Sequence, residues 1–206
     1  MALQITIDGP AAAGKTSLGK ALAREFGYLF VETGNMYRAV ALGLERGLDL
    51  ERIGITMDEG GRLLLNGEDV TDLLHTPALD QASSRVATRP EVRARLVRLQ
   101  RHLAAGRDVV MEGRDIGTVV LPRAEVKIFL QASADERARR RTAERDSADP
   151  FLTLEELVAR DKRDQTRDVS PLNPACDATI IDTDRKSLNE VISEAIHLVK
   201  ERSGKR

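Results

Sequence analysis

Gly9-Pro10-Ala11-Ala12-Ala13-Gly14-Lys15-Thr16 sets two glycines with four residues between them, followed at once by Lys and Thr. That spacing is the phosphate-binding P-loop. Leu3, Ile5 and Ile7 alternate before it and spell a strand; Leu18, Ala21, Leu22 and Phe26 recur after it at helical intervals. A glycine loop between a strand and a helix curls so that successive N–H groups face an anion, and the helix N-terminus adds partial positive charge. Gly9, Pro10, Ala11, Ala12, Ala13, Gly14, Lys15, Thr16 and Ser17 are therefore expected to hold a nucleoside triphosphate. Lys15 is placed to reach the β- and γ-phosphates, and the Thr16 hydroxyl to hold Mg2+.

Outward from this loop, strands and helices alternate. Residues 28–31 read as a strand, followed by Glu32-Thr33-Gly34 and a helix with Met36, Val40 and Leu44 on one face. Between about residues 48 and 75 the pattern shifts to short strand-like runs, 53–57 and 62–65, joined by Glu59-Gly60-Gly61 and closed by Asn66-Gly67, a strong hairpin signal. Residues 80–104 read as a long helical region interrupted at Pro90. Short apolar strands follow at 109–111, 126–130 and 178–181. Ser133 with Glu136, Thr153 with Glu156, and Ser187 with Glu190 have the spacing of capping boxes, each opening a helix. Residues 146–151 are a polar break, and the tail from Ser203 should fray. The alternation implies an α/β fold: a parallel five-stranded sheet flanked by helices, with a small antiparallel insert and a helical lid.

At 206 residues the chain has room for one domain with a real core and a small insert. A net charge of −1 argues against a nucleic-acid partner, so any basic cluster must act locally. Arg greatly outnumbers Lys, which suits planar phosphate contacts, and equally a biased genome or a heat-tolerant surface. The single Cys176 excludes an intramolecular disulfide and reads as an inert small hydrophobe. There is no Cys/His cluster of zinc-ligand spacing, no leader-like N-terminal pattern and no apolar run of ~20 residues. A cytoplasmic monomer with small-molecule substrates is expected, bound to neither membrane nor nucleic acid.

In open α/β folds ligands bind beyond the carboxyl ends of the strands. The first strand delivers the P-loop there, the second Glu32-Thr33-Gly34 with Tyr37-Arg38, and the 109–111 strand Glu112, Arg114 and Asp115. Beside a triphosphate, such a group suits an acceptor phosphate and its base; a solvated Arg38 and an Arg114–Asp115 loop salt bridge are the plainer alternatives. A second basic group lies on two helices: Arg137, Arg139, Arg140 and Arg141, then Arg160, Arg163 and Arg167 on one face. Like charges so spaced repel, which Asp164 pairing with Arg160 would relieve; phosphate oxygens would fill the same face if the helices close as a lid across the Ser147–Pro150 break. Phosphoryl transfer needs in-line positioning, Mg2+ and positive charge more than covalent help. His75, His102 and His197 are scattered and form no triad. Asp58-Glu59-Gly60-Gly61 spells a GTPase switch pattern, but sits in a hairpin without a base-reading Asn-Lys-x-Asp motif downstream.

Residues 5–10 running into the P-loop, Thr33-Gly34 with Tyr37-Arg38, Gly113-Arg114-Asp115-Ile116-Gly117-Thr118-Val119-Val120, Lys127-Ile128-Phe129-Leu130, and Arg163-Asp164 with Arg167 before Ser170-Pro171-Leu172 together resemble the bacterial cytidylate kinases. The Gly-Arg-Asp-Ile-Gly-Thr segment is the most particular of these, and the matches span nearly the whole chain. The resemblance implies an ATP-binding core over residues 1–47, 81–132 and 169–206, an acceptor-side insert over 48–80 and a lid over 133–168. It implies transfer from ATP to CMP and dCMP, with Ser84, Arg93 and Asp115 reading the cytosine. Arg38, Arg114 and Arg167 would hold the acceptor phosphate, Arg160 and Asp164 the sugar hydroxyls, and Thr33 and Tyr37 would complete the acceptor site. Lys15, Arg38, Arg114, Arg163 and Arg167 would carry the catalytic charge. A carboxylate at 115 suits cytosine because it accepts from the exocyclic amino group that uracil lacks. The chain departs from the pattern at Thr16, where relatives often have a small residue, at Thr33 for Ser, at Glu112 for Asp, and in a short insert. A P-loop kinase for another acceptor such as UMP is the competing enzyme; a nucleotide-dependent switch or an RNA-binding module is the competing class.

Overall fold

The computed structural model describes residues 2–58, 60–145 and 150–204. Its main sheet has five strands, β1 (Gln4–Asp8), β2 (Leu29–Glu32), β6 (Val109–Gly113), β7 (Val126–Gln131) and β8 (Thr179–Asp182), in the order β2-β6-β1-β7-β8. Numbers 3 to 5 belong to a separate small sheet, β3 (Ile55–Met57), β4 (Leu63–Leu65) and β5 (Glu68–Asp69). β1 runs parallel to β6 on one side and β7 on the other, so strand order reverses at β1, where an α/β sheet opens a crevice for ligands.

The chain packs as two compact units. One comprises the described residues up to Phe30 together with those from Gly106 onward. Its core forms where the apolar alternation of β1, β6 and β7 meets the helical stripes of α1 (Lys15–Phe26) and α7 (Leu188–Ser203): Ile5, Ile7, Val110, Ile128, Leu18, Leu22, Ala195 and Val199 are buried together. Gly19 lets Phe30 lie against α1, since a Cβ there would come 2.4 Å from the ring. α7 opens with a complete capping box, Ser187 and Glu190 satisfying each other's backbone N–H groups. The unit also contains α5 (Ala134–Arg145) and α6 (Pro150–Thr166).

The other unit, residues 31–105, holds α2 (Thr33–Glu45), α3 (Pro77–Val86), α4 (Pro90–Ala104) and the small sheet. Asn66 and Gly67 both have positive φ, 50° and 89°, the geometry of a type I′ hairpin turn, so the expected antiparallel insert is present. That turn joins β4 to a third strand, β5, although the polar pair Glu68-Asp69 carries no strand pattern of its own. Thr76 caps α3, its hydroxyl accepting from Leu79 N at 3.2 Å. Pro77 and Pro90 each start a helix, where the missing N–H costs nothing, so the helical region of residues 80–104 is two helices.

Other details differ from the sequence reading. α6 begins at Pro150, so Thr153 is buried inside its first turns and does not cap it. The Ser133 hydroxyl does accept from Glu136 N, but the reciprocal bond of a capping box is replaced: Asp184 takes Ser133 N at 3.0 Å, and Glu136 turns to Arg139 and Arg140. Those two guanidinium groups hold the Glu136 carboxyl down at about 2. Cys176 is exposed, not packed as a hydrophobe. Met36 is fully buried and all three histidines are exposed, as expected. The polar break and the lid hinge lie mostly at 146–149, outside the described residues.

Candidate functional site

The P-loop follows β1 and is shaped by three unusual φ values. Gly9 (φ +147°) passes so close to β7 that a Cβ would stand 2.4 Å from Leu130 O, which only glycine avoids. Ala12 (φ 58°) and Gly14 (φ 92°) complete the curl, and α1 starts at Lys15. Lys15 Nζ donates to Pro10 O at 2.7 Å, and the residue is 6% exposed. Burial, then the positive charge of Arg114, lowers the Lys15 ammonium to about 7; Arg160 adds to this, while Glu112 and Asp8 oppose it. The sequence-predicted Lys15, Arg114 and Arg160 thus act on one another electrostatically within this unit.

Thr16 Oγ1 donates to Glu112 Oε1 at 3.2 Å, across from the loop at the end of β6. The sequence places Glu112 at this strand end, as a departure from Asp, without giving it a role. Its place at the end of a strand beside the P-loop strand is where P-loop enzymes keep an acidic partner for the metal, a signal that could have marked it. Among the described residues no group of three or more His, Cys, Asp or Glu side chains forms a metal cage. Thr16 and Glu112 instead offer two hard oxygens, which suits Mg2+, an ion usually held by one or two protein oxygens plus phosphates and water. Ser17 lies on the exposed side of α1.

Arg114 and Asp115, at the end of β6, find separate partners and do not form the loop salt bridge that was the plainer alternative. Arg114 Nε donates to Asp164 Oδ2 of α6 at 2.9 Å. Asp164 is therefore the partner of Arg114, although Arg160 also stabilises it: burial pushes its carboxyl up, but Arg114, Arg160 and Arg167 together bring it below the usual carboxylate range. Arg114 in turn is raised against burial by Asp164, Glu112 and Asp161. Asp115 lies 3.7 Å from Arg167 Nη2, and Arg167 Nε donates to Ser170 O. Arg163 is half-buried on α6, which ends at Thr166, so Arg167 of the expected helix face lies one residue past the helix, its N donating to Arg163 O at 3.2 Å. Arg137, which the sequence marked only as basic, pins α5: it donates to Ala11 O of the P-loop at 3.3 Å and pairs with Asp161 of α6 at 2.6 Å.

The second unit gathers the remaining candidates. Arg38 on α2 is held on all sides, its Nη2 on Asp80 at 2.8 Å and its Nη1 on Asn35 at 2.7 Å and Glu32 at 3.3 Å. It is not the solvated helix residue that was its plainer alternative. Arg93 is buried with its guanidinium 5.8 Å from the centre of the Tyr37 ring, a cation–π distance. Thr33 is buried at the first turn of α2. Ser84 is buried on α3, and its hydroxyl has no hydrogen-bond partner among the described residues. A buried hydroxyl left so is costly, and a polar ligand is one way to satisfy it.

A parallel sheet with this loop at its reversal point and guanidinium groups acting on the loop lysine defines a P-loop kinase. Solved structures agree on the fold: a gluconokinase from Sinorhizobium meliloti (TM-score 0.54, 18% identity, 98% of this chain and 94% of that one) and a shikimate kinase from Bacteroides thetaiotaomicron (TM-score 0.51, 16% identity, 97% and 96%). The cytidylate kinase family model matches residues 5–201. Cytidylate kinases from Pelotomaculum thermopropionicum (47% identity, 91% of this chain, 92% of the relative) and Mycobacterium leprae (47%, 97% and 96%) are similar over nearly their whole length. The chain belongs to the cytidylate kinase family.

Proposed function

We propose that the enzyme transfers the γ-phosphoryl group of ATP to CMP and dCMP, giving ADP and the cytidine diphosphates. One observation carries the reading: Lys15 is buried in the P-loop, its ammonium lowered first by that burial and then by the charges of Arg114 and Arg160, which act on it where the loop also sits. Such a cluster is unfavourable by itself and is stabilised by polyphosphate. The family supplies the acceptor, since its named members are cytidylate kinases.

Residues 9–17 wrap the triphosphate, with loop amides and Lys15 on its β- and γ-oxygens. Thr16 and Glu112 would hold Mg2+, which would supply charge neutralisation to the phosphates. An oxygen of the acceptor phosphate attacks the γ-phosphorus in line; that bond forms as the bridging bond to the β-phosphate breaks, and ADP leaves with the electron pair. Arg38, Arg114 and Arg167 hold the acceptor phosphate, and Arg163 adds charge to the transferring group. Each of the first three now faces a carboxylate, Asp80, Asp164 and Asp115 respectively, so the acceptor phosphate takes over positions that carboxylates fill. Arg160 and Asp164 meet the sugar hydroxyls, and Ser84, Arg93 and Asp115 read the base beside Thr33 and Tyr37. Residues 133–168 act as the lid, and the working form is a cytoplasmic monomer.

Asp115→Ala tests the base assignment. The CMP-over-UMP ratio of kcat/KM should fall by ten-fold or more while ATP KM stays within about two-fold, because the amino group of cytosine loses its acceptor, whereas the loss of Asp115 beside Arg167 acts on CMP and UMP alike. An unchanged ratio refutes the assignment and favours another small acceptor.

A further inference from the structure

Asp8 is the last residue of β1, and the phosphate chemistry above makes no use of it. Its two oxygens each accept one backbone N–H, Ile116 N on Oδ1 at 2.8 Å and Gly117 N on Oδ2 at 2.7 Å. The side chain is buried, with 5% of the residue exposed. Those amides are the first two of a five-residue π-helical turn, Ile116–Val120, whose N-cap position is Asp115. An aspartate at that position ordinarily caps its own turn. Asp115 makes no such bond. Asp8, more than a hundred residues away in sequence, does the capping, and the Asp115 carboxylate lies towards Arg167 instead.

Three further observations fit a built grip. The Asp115 carbonyl accepts from both Val119 N and Val120 N, at 2.9 and 3.2 Å, which fixes the backbone of Asp115 on its other side. Gly117 comes so close to β1 that a Cβ would stand 3.0 Å from Thr6 Oγ1 and 3.3 Å from Asp8 Oδ2. Gly113, two residues before Asp115, is the ladder partner of Asp8. Asp115 is thus flanked by contacts that lead back to Asp8, and Asp8 adjoins the glycine that opens the P-loop.

We propose that Asp8 is a positioning residue for base recognition: by capping the Ile116–Val120 turn from outside, it leaves the Asp115 carboxylate to the acceptor base and fixes where that carboxylate stands. The proposal rests on the reading of Asp115 as the cytosine-reading group. A turn pin with no part in recognition would share the same contacts, and selectivity separates the two.

Asp8→Asn keeps shape and burial but replaces one accepting oxygen with an NH2 that cannot accept, so one of the two amides meets a donor. The CMP-over-UMP ratio of kcat/KM should fall about ten-fold, mainly through CMP KM, with ATP KM within two-fold. Gly117→Ala pushes on the same grip from the other side and should lower the ratio in the same direction; it provides the readout if Asp8→Asn fails to fold. A lowered melting temperature with an unchanged ratio overturns the proposal, as does an equal rise in both KM values. Asp115→Ala run in parallel separates the two levels. A ratio unchanged in Asp115→Ala sinks the base reading itself; a ratio that collapses there but holds in Asp8→Asn sinks the positioning role alone.

Discussion

Binding of a polyphosphate should draw a proton onto Lys15. Burial comes first in lowering its ammonium from 10.5 to about 7, with Arg114 and Arg160 adding to it. At pH 8 about nine-tenths of the side chain is then neutral, at pH 7 about half, and at pH 6 about one-tenth. Phosphate oxygens on the same side chain favour the ammonium and return it towards its ordinary range. Uptake per nucleotide should therefore be about 0.9 proton at pH 8, about 0.5 at pH 7 and about 0.1 at pH 6. The assay is calorimetric titration of the enzyme with ADP, without divalent metal, in buffers of different ionisation enthalpy. A terminal phosphate with a second pKa of roughly 6 is already ionised at pH 8, so the uptake there belongs to the protein. Lys15→Met should abolish it. Uptake below about 0.2 proton at pH 8, or uptake that survives in Lys15→Met, would refute the electrostatic argument. The linkage has a definite sign for folding as well: the unfolded chain binds more protons at Lys15 between pH 7 and 10.5, so in the ligand-free enzyme this residue makes stability rise with pH across that window.

Gly9→Ala should cost roughly 2–4 kcal/mol in urea unfolding and weaken ADP binding, since its methyl would meet Leu130 O and its φ is unfavourable for any side chain. Asp164→Ala should destabilise by roughly 3–5 kcal/mol, because it leaves the Arg114 guanidinium buried without its carboxylate. Ser84→Ala should leave stability within about 0.5 kcal/mol, its hydroxyl having no partner to lose, yet raise CMP KM several-fold with ATP KM unchanged. A loss of stability in Ser84→Ala comparable to that of Asp164→Ala would show instead that the hydroxyl serves the fold.

Most of the fold could be read from local signals. The Gly9–Thr16 spacing, the Asn66-Gly67 turn and the Ser187/Glu190 pair each act within a few residues, and the structure has all three. The failures are places where a distant partner outbids a local one. Glu136 is spaced to close a capping box, but two arginines on its own helix and the Asp184 carboxylate redistribute the bonds. Thr153 has cap spacing, but Pro150 is a better start for α6. The site shows the same divide. Motif spacing identified Lys15, Thr16 and Arg114 as candidates, but not that Arg114 would pair with Asp164, fifty residues away, in place of its neighbour Asp115. Nor did it assign roles to Asp8 or Glu112, whose contacts depend on which strands lie beside β1.

A coupled ADP-release assay with ATP, Mg2+ and each nucleoside monophosphate in turn bears on the whole account at once. CMP and dCMP should drive ADP release with kcat/KM at least ten-fold above UMP, AMP and GMP, and release without acceptor should be negligible. Equal or greater turnover with any other monophosphate, or steady ATP hydrolysis indifferent to the acceptor, would contradict it.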